Sequence, residues 1–507
     1  MKKVTLIIII ITLSSKILGF GREIALAYFY GTTNISDAFL ISLTIPLTLF
    51  SFIGTGLATS YIPVYSSLEK DNSNQTSVKF TSNVINLVIL VSILLILISV
   101  IFTTPIVKLF ASGFNGSTLE TAVFFTRISV IGIVFSGLVY ILTAYLQVNN
   151  SFVIPALIGI PYNVILVSAI VFSFYTNIII LPLGNVIGPL SQLALLLPFV
   201  YKLGFKYSFN LDYRNKYFSK MMHLSLPVII GVSVEQINKL IDRTLASQIV
   251  VGGISALTYA SRLNWFIQGI FAVSIATVMY PHISKMAATK NEEGFKKAIR
   301  GAINSISLFI IPATIGSMFL SEAIVALLFG RGAFGTDAVL MTSNALFYYS
   351  IGMVGFGLRE VLSRAFYSFQ DTKTPMVNGL IAMTINIILN FILSKFLGIG
   401  GLALATSISS LIGSLLLFIS LRKKIGSFGS KVIIITLFKV LSASLVMGVI
   451  AKALYNTLNG SISSNLSLIT SIIIGILIYL IFIHFMKIED FDTLMKVVKD
   501  KFKKILF

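Results

Sequence analysis

Fourteen stretches of this chain are long and apolar enough to cross a membrane as helices, and that recurrence leaves little freedom in the fold. They fall at roughly 6–30, 37–64, 80–104, 121–147, 152–175, 178–201, 221–247, 254–280, 298–321, 339–369, 374–395, 399–421, 432–456 and 464–486. Each meets the ~20 residues that span a ~30 Å hydrocarbon core. Charged residues make up only 11% of the 507 positions and mean hydropathy is +0.95, too little charge for a soluble surface. Strand-type alternation is absent, which argues against a membrane β-barrel. We therefore expect an all-α polytopic membrane protein with about 14 transmembrane helices. The opening MKKVTLIIIIITLSSK imitates a signal peptide. No small-x-small site follows it cleanly, so it reads as the first span rather than a cleaved leader.

The positive charge is distributed by topology. With the N-terminus in the cytoplasm, the inside segments hold 25 of the 38 Lys and Arg, the outside loops hold Lys108, Arg331 and Lys395, and 10 fall within spans. That bias is what the positive-inside rule demands. It places both termini in the cytoplasm and supports the helix count, since moving one span would scramble the alternation. The net charge of +20 therefore reads as topology and contact with anionic lipid, not as nucleic-acid binding. There are no cysteines, hence no disulfide or thiolate chemistry. His223, His282 and His484 lie far apart and suggest no metal site. No Walker loop, HExxH or nucleophile–base set is present, so an ATPase or hydrolase is not supported.

A repeat is visible inside the chain. PYNVILVSAIVFSF (161–174) is similar to TINIILNFILSKFL (384–397), aligning Asn163 with Asn386, and ISDAF (35–39) sits at a similar offset from ISALT (254–258). We read two six-helix lobes, 1–220 (helices 1–6) and 221–425 (helices 7–12). Helices 13–14 follow at 426–486, and a basic amphipathic cytoplasmic tail at 487–507. Repeated halves with a site between them are the common plan of alternating-access transporters.

Charges inside spans are the functional candidates, because each costs ~2.5–3.5 kcal/mol at the bilayer centre and so faces a bundle interior or water. The cations are Lys16, Arg22, Arg127, Lys239, Arg243, Arg262, Arg359, Arg364, Lys439 and Lys452; the acids are Glu23, Asp37, Glu235, Asp242 and Glu360. Lys16, Asp37, Arg364 and Lys452 lie near helix ends, where snorkelling is the commoner fate. Arg359–Glu360 reads equally well as a structural ion pair. Arg262, in YASRLNWFIQGIFAV, has no adjacent acid. A buried cation needs an anion, and a planar guanidinium fork suits phosphate oxygens. A phosphate-type cargo fits; a cationic drug would want the opposite sign. A second set, Asp242, Asn386, Asn390 and Thr406, offers oxygen ligands, with Asn386 and Asn390 one helical turn apart. Their spacing alone favours interhelical hydrogen bonding over a cation site.

SSKILGFGREIALAYFYGTTNISDAFLIS (14–42), YASRLNWFIQGIFAVSIATVMYPHISK (259–285), LLFGRGAFGTDAV (327–339), SRAFYSFQDTKTP (363–375) and GIGGLALATSISSLIGSLLLF (398–418) carry a family resemblance. The chain resembles the MurJ (MviN) lipid II flippases of the MOP exporter superfamily over about residues 1–425. That resemblance implies two lobes, a lipid-tail groove formed by helices 13–14, and export of an undecaprenyl-diphosphate-linked peptidoglycan precursor across the bacterial plasma membrane. It assigns Arg22, Glu23, Asp37 and Arg262 to the substrate cavity, with Lys16 where the family often has arginine. It places Asp242, Asn386, Asn390 and Thr406 where similar proteins hold sodium, so Na+ is the one candidate ion and no organic cofactor is implied. Partners would be the lipid-linked diphosphate–sugar, membrane lipids and cell-wall synthesis proteins. The chain departs from the family in IPLTLFSFIGTG, which lacks the arginines that often follow this motif; Arg243 is the candidate to compensate. Alternatives with the same fold are a flippase for another polyprenyl-linked oligosaccharide and a cation-coupled multidrug-type antiporter. A scaffold for cell-wall machinery would tolerate loss of the arginines.

Overall fold

The computed structural model describes residues 2–71, 74–209, 212, 216–488 and 491; nearly all of the expected tail at 487–507 lies outside them. The described chain is helical, as oil requires: backbone N–H and C=O groups find no water there and must pair within each segment. Contacts divide it into two compact units, Met1–Ser255 with Arg331–Gly335, and Ala256–Gly330 with Thr336–Phe507. The division falls after Ser255, so helix 7 of the sequence reading packs with the first six.

In the first unit, α1 (Lys2–Tyr30), α2 (Asn34–Asp71), α3 (Asn74–Ile101) and the short α4 (Thr103–Phe110) are followed by α5 (Gly116–Ser129) and α6 (Gly132–Val148). After these come α7 (Val153–Leu157), α8 (Gly159–Tyr175), α9 (Ile180–Lys202) and α10 (Lys216–Ile249). Its core gathers Phe50, Leu57, Tyr61, Val64, Phe80, Val84 and Tyr145 from α2, α3 and α6, and α10 packs along α2.

The second unit takes most of α11 (Gly253–Gln268), a π-turn at Gly269–Val273, α12 (Ser274–Ala288), α13 (Glu292–Phe319), α14 (Ser321–Phe329) and α15 (Thr336–Ile351). It continues through α16 (Met353–Ser368), α17 (Lys373–Leu397), α18 (Ile399–Ile425), α19 (Ser430–Leu458) and α20 (Ser464–Phe485). Here α19 lies against α13 and α20 against α19. Leu308, Ile311, Ile315, Val440, Ala443 and Met447 fill that seam, and the Tyr479 hydroxyl donates to Leu308 O at 2.7 Å. Lys439 donates to Met486 O at 2.8 Å, closing the end of α20.

Among the described residues, ten helices are long and apolar enough to span a membrane, or twelve if each bent pair is one span. The bent pairs are α5–α6 at 45° and α15–α16 at 42°. The remaining two expected spans correspond to α1 and α10, with 29 and 34 residues. Those helices hold Lys16, Arg22, Glu23, Lys239, Asp242 and Arg243. The bends occupy matching places in the chain, Gly116 and Thr336 being 220 positions apart. Both break beside glycines pressed on a neighbour. A Cβ on Gly132 would lie 2.6 Å from Asn185 O, and one on Gly352 2.6 Å from Ser407 Cα. Gly19 and Gly21 lie within the unbroken α1.

The QDTKTP stretch shows how a sequence motif sets a helix start. Asp371 accepts from the Thr374 backbone N–H and hydroxyl, both at 3.0 Å, and from Lys424 Nζ at 2.6 Å. The Lys424 hydrogen bond, with the Thr374 N–H, holds the Asp371 carboxyl down at about 2. A depressed carboxylate stabilises the fold above its unfolded value near 3.9, and that contribution is lost as pH falls through the folded value. Asp371→Asn should therefore lower the thermal unfolding midpoint by a constant amount from about pH 5 to 8. The gap should narrow below about pH 4 and vanish only below the folded value, at about pH 1. Circular dichroism melts across that range check it; a gap unchanged at low pH would exclude the ionised carboxylate as the cause.

Candidate functional site

Arg22 and Glu23 are neighbours on α1, and their side chains curl together: Arg22 Nη2 donates to Glu23 Oε1 at 2.6 Å. The pair is dry, with side chains 11% and 2% exposed. Tyr162 on α8 is near enough to interact electrostatically with Arg22. Close approach of α1 and α8 makes this possible. Asn163 Nδ2 donates to Gly159 O at 2.8 Å and to Ser15 O at 3.4 Å, and its amide packs against Gly19. The carboxylate uses one guanidinium nitrogen of a group that carries five N–H donors, so Arg22 keeps donors for a second anion. Lys16, on the same helix, is exposed.

Asp37 lies in the first turn of α2 and is 1% exposed. Its Oδ2 accepts from Gly252 N–H at 2.8 Å; its Oδ1 accepts from Ser255 N–H at 2.8 Å and from the Ser255 hydroxyl at 2.7 Å. A carboxylate on the N-terminal amides of a helix is doubly favoured, by hydrogen bonding and by the helix dipole. Gly252 is held at φ +81°, and a Cβ there would lie 2.3 Å from Thr32 O, so the turn into α11 admits only glycine. Asp37 thus fixes where α11 begins, rather than presenting its oxygens to a ligand. Arg243, half-buried on α10, donates from Nη1 to Leu40 O at 3.2 Å, three residues along α2 from Asp37. Asp242 is half-buried beside it and Lys239 exposed; the Glu235 side chain lies outside the described set.

In the second unit, Arg262 is exposed on α11. The opposite face of that helix is anchored by Asn264, whose Nδ2 donates to Tyr349 O at 3.4 Å, and by Gln268, which donates to Asn264 Oδ1 at 2.7 Å. Past the π-turn, Ser274 and Thr277 are exposed. Polar groups on the open side of a spanning helix belong against water or a polar ligand, and π-turns recur at functional sites.

Asn386, Asn390 and Thr406 do come together. Asn390 Nδ2 donates to Asn386 Oδ1 at 3.1 Å, Asn386 Nδ2 to Thr406 Oγ1 at 3.3 Å, and Thr406 Oγ1 to Leu402 O at 3.0 Å. That chain clamps α17 to α18 as neutral groups do between membrane helices. Asn386 Oδ1 and Thr406 Oγ1 each accept one amide hydrogen bond, which leaves a second lone pair on each oxygen.

The sequence model described as lipid II flippase MurJ matches residues 26–483. The chain belongs to the MurJ family.

A probable lipid II flippase MurJ of Thermotoga maritima is 30% identical over 489 residues, covering 96% of each chain. Its Vibrio cholerae counterpart is 31% identical over 430 residues, 82% of this chain and 81% of that one. A solved MurJ in an inward closed conformation is similar at TM-score 0.82 and 30% identity, covering 94% of this chain and 98% of that one. An inward-facing MATE multidrug transporter of the MOP superfamily is similar at TM-score 0.66 but 15% identity, over 83% of this chain and 99% of that one. The MATE likeness shows a shared fold alone. In this MurJ-family chain, sequence reasoning found the charged residues but missed two relations. The Asp37 tie has no local signal in the sequence, because its donors lie 215 and 218 positions downstream. Glu360 pairs with Arg364, at 2.9 Å, rather than with its neighbour Arg359, as helix geometry prefers.

Proposed function

We propose that this chain moves lipid II, a polyprenyl-diphosphate-linked peptidoglycan precursor, from the inner to the outer leaflet of the bacterial plasma membrane by alternating access. Membership of the MurJ family supports the substrate class. The observation that carries the mechanism is the presence of guanidinium groups, Arg22 and Arg262, on spanning helices of a multi-pass protein. Both termini are cytoplasmic in this reading, as the charge bias requires. In the first unit the diphosphate competes with Glu23 for Arg22, with Lys16 and Arg243 adding positive field; in the second, Arg262 is its phosphate contact; the polyprenyl tail stays in lipid. Neutralising the cations favours closure around the headgroup, since only differential binding shifts such an equilibrium. No step is routed through sodium.

Arg262→Ala should slow flipping by about 10- to 100-fold, the worth of one charge-assisted hydrogen-bonding group. A leaflet-accessibility assay on proteoliposomes loaded with lipid II reads it; a wild-type rate would remove Arg262 from the mechanism. Another polyprenyl-linked oligosaccharide would use the same cations, and competition between purified lipids in that assay separates the two.

A further inference from the structure

Arg359 is the cation of the second unit that the mechanism above leaves unused. It is exposed on α16, nine residues before the helix ends at Ser368, a depth of about 14 Å at 1.5 Å per residue. The adjacent carboxylate, Glu360, is taken by Arg364 at 2.9 Å, and Arg364 also lies over the Tyr280 ring at 5.7 Å. Among the described residues no carboxylate lies within ion-pair distance of Arg359. The side chain reaches α17 at Gly379, where a Cβ would sit 3.7 Å from Arg359 Nη2. The absence of a side chain there leaves the guanidinium uncovered on that flank. On the other side, Phe356 on α16 meets Trp265 on α11, ring centroids 6.2 Å apart. Trp265 is 59% exposed and stands one turn after Arg262. Cation, two rings and cation therefore follow one another across α11 and α16.

We propose that Arg359 is a second phosphate contact for the lipid-linked diphosphate, with Trp265 and Phe356 between it and Arg262. This rests on the flippase reading. A guanidinium so deep in a spanning segment requires an anion or water, and its fork matches two phosphate oxygens. The Glu360–Arg364 pair keeps Glu360 from competing for it. The same chemistry could be met by the phosphate of a bulk phospholipid, and the test separates the two sources.

Trp265 is the only tryptophan in the chain, so its fluorescence reports ligand at this place. Full-length protein in phosphatidylcholine nanodiscs is titrated with lipid II. Arg359→Gln should raise the half-saturating concentration about tenfold or more, and Arg359→Lys should recover part of the loss. Thermal midpoints measured without ligand should be unchanged for both. Equal half-saturation for wild type and Arg359→Gln, in a wild type that binds and flips lipid II, overturns this proposal alone. So does a defect that appears only when anionic phospholipid is added, or one that tracks a fall in midpoint. A wild type that neither binds nor flips lipid II overturns the flippase reading and this contact with it.

Discussion

Arg22→Ala protein should flip no measurable lipid II and should be less stable by about 3–5 kcal/mol, the usual consequence of removing one partner from a buried ion pair. The Glu23 side chain is 2% exposed and stands 2.6 Å from the guanidinium it would lose. A carboxylate in that position keeps its desolvation penalty after the guanidinium is gone. The two losses have different causes, and a second substitution separates them. Glu23→Gln added to Arg22→Ala removes the buried negative charge, so most of the stability should return. Flipping should not return, because the guanidinium that meets the diphosphate is still missing. Arg22→Lys should fall between, keeping the charge but not the planar fork. Unfolding midpoints in detergent and leaflet accessibility in proteoliposomes provide the two readouts. A double variant that flips like wild type would reduce Arg22 to a structural role.

What the sequence disclosed and what it withheld divide along a physical line. Spans were readable because lipid imposes a length and an apolarity on every segment that crosses it; α3 or α20 could hardly be anything else. The bends were not, because they depend on a partner helix: Gly132 breaks where it meets Asn185, and Gly352 where it meets Ser407. The same holds for α10, whose charges assign it a place in topology but not its packing on α2. The candidate residues were readable because a charge in oil demands an explanation. Their relations were not. Arg22 pairs with its immediate neighbour whereas Glu360 reaches one turn ahead to Arg364, although both begin as an adjacent Arg–Glu. Asn386 and Asn390, grouped by spacing, do meet on α17, and what they form is a clamp with Thr406.

Asp37 makes the sharpest case for a residue whose sequence role and structural role differ. The family resemblance assigns it to the substrate cavity, yet both oxygens are engaged by Gly252 and Ser255. Removing them leaves buried amides at the start of α11 without their acceptors, each worth about 1–3 kcal/mol. Asp37→Ala should therefore raise hydrogen exchange at residues 252–255 by about 100-fold, the factor equivalent to roughly 2.8 kcal/mol. Asp37→Asn should do less harm, since one oxygen still accepts while the new NH2 opposes a donor. Ser255→Ala, which deletes only the 2.7 Å hydroxyl contact, should be the mildest of the three. Flipping should decline in the same order, because α11 carries Arg262 and a helix whose start is loose holds its arginine loosely. Wild-type protection at 252–255 in Asp37→Ala would show that the tie is not what holds α11. Lost flipping with protection intact would return Asp37 to the substrate path.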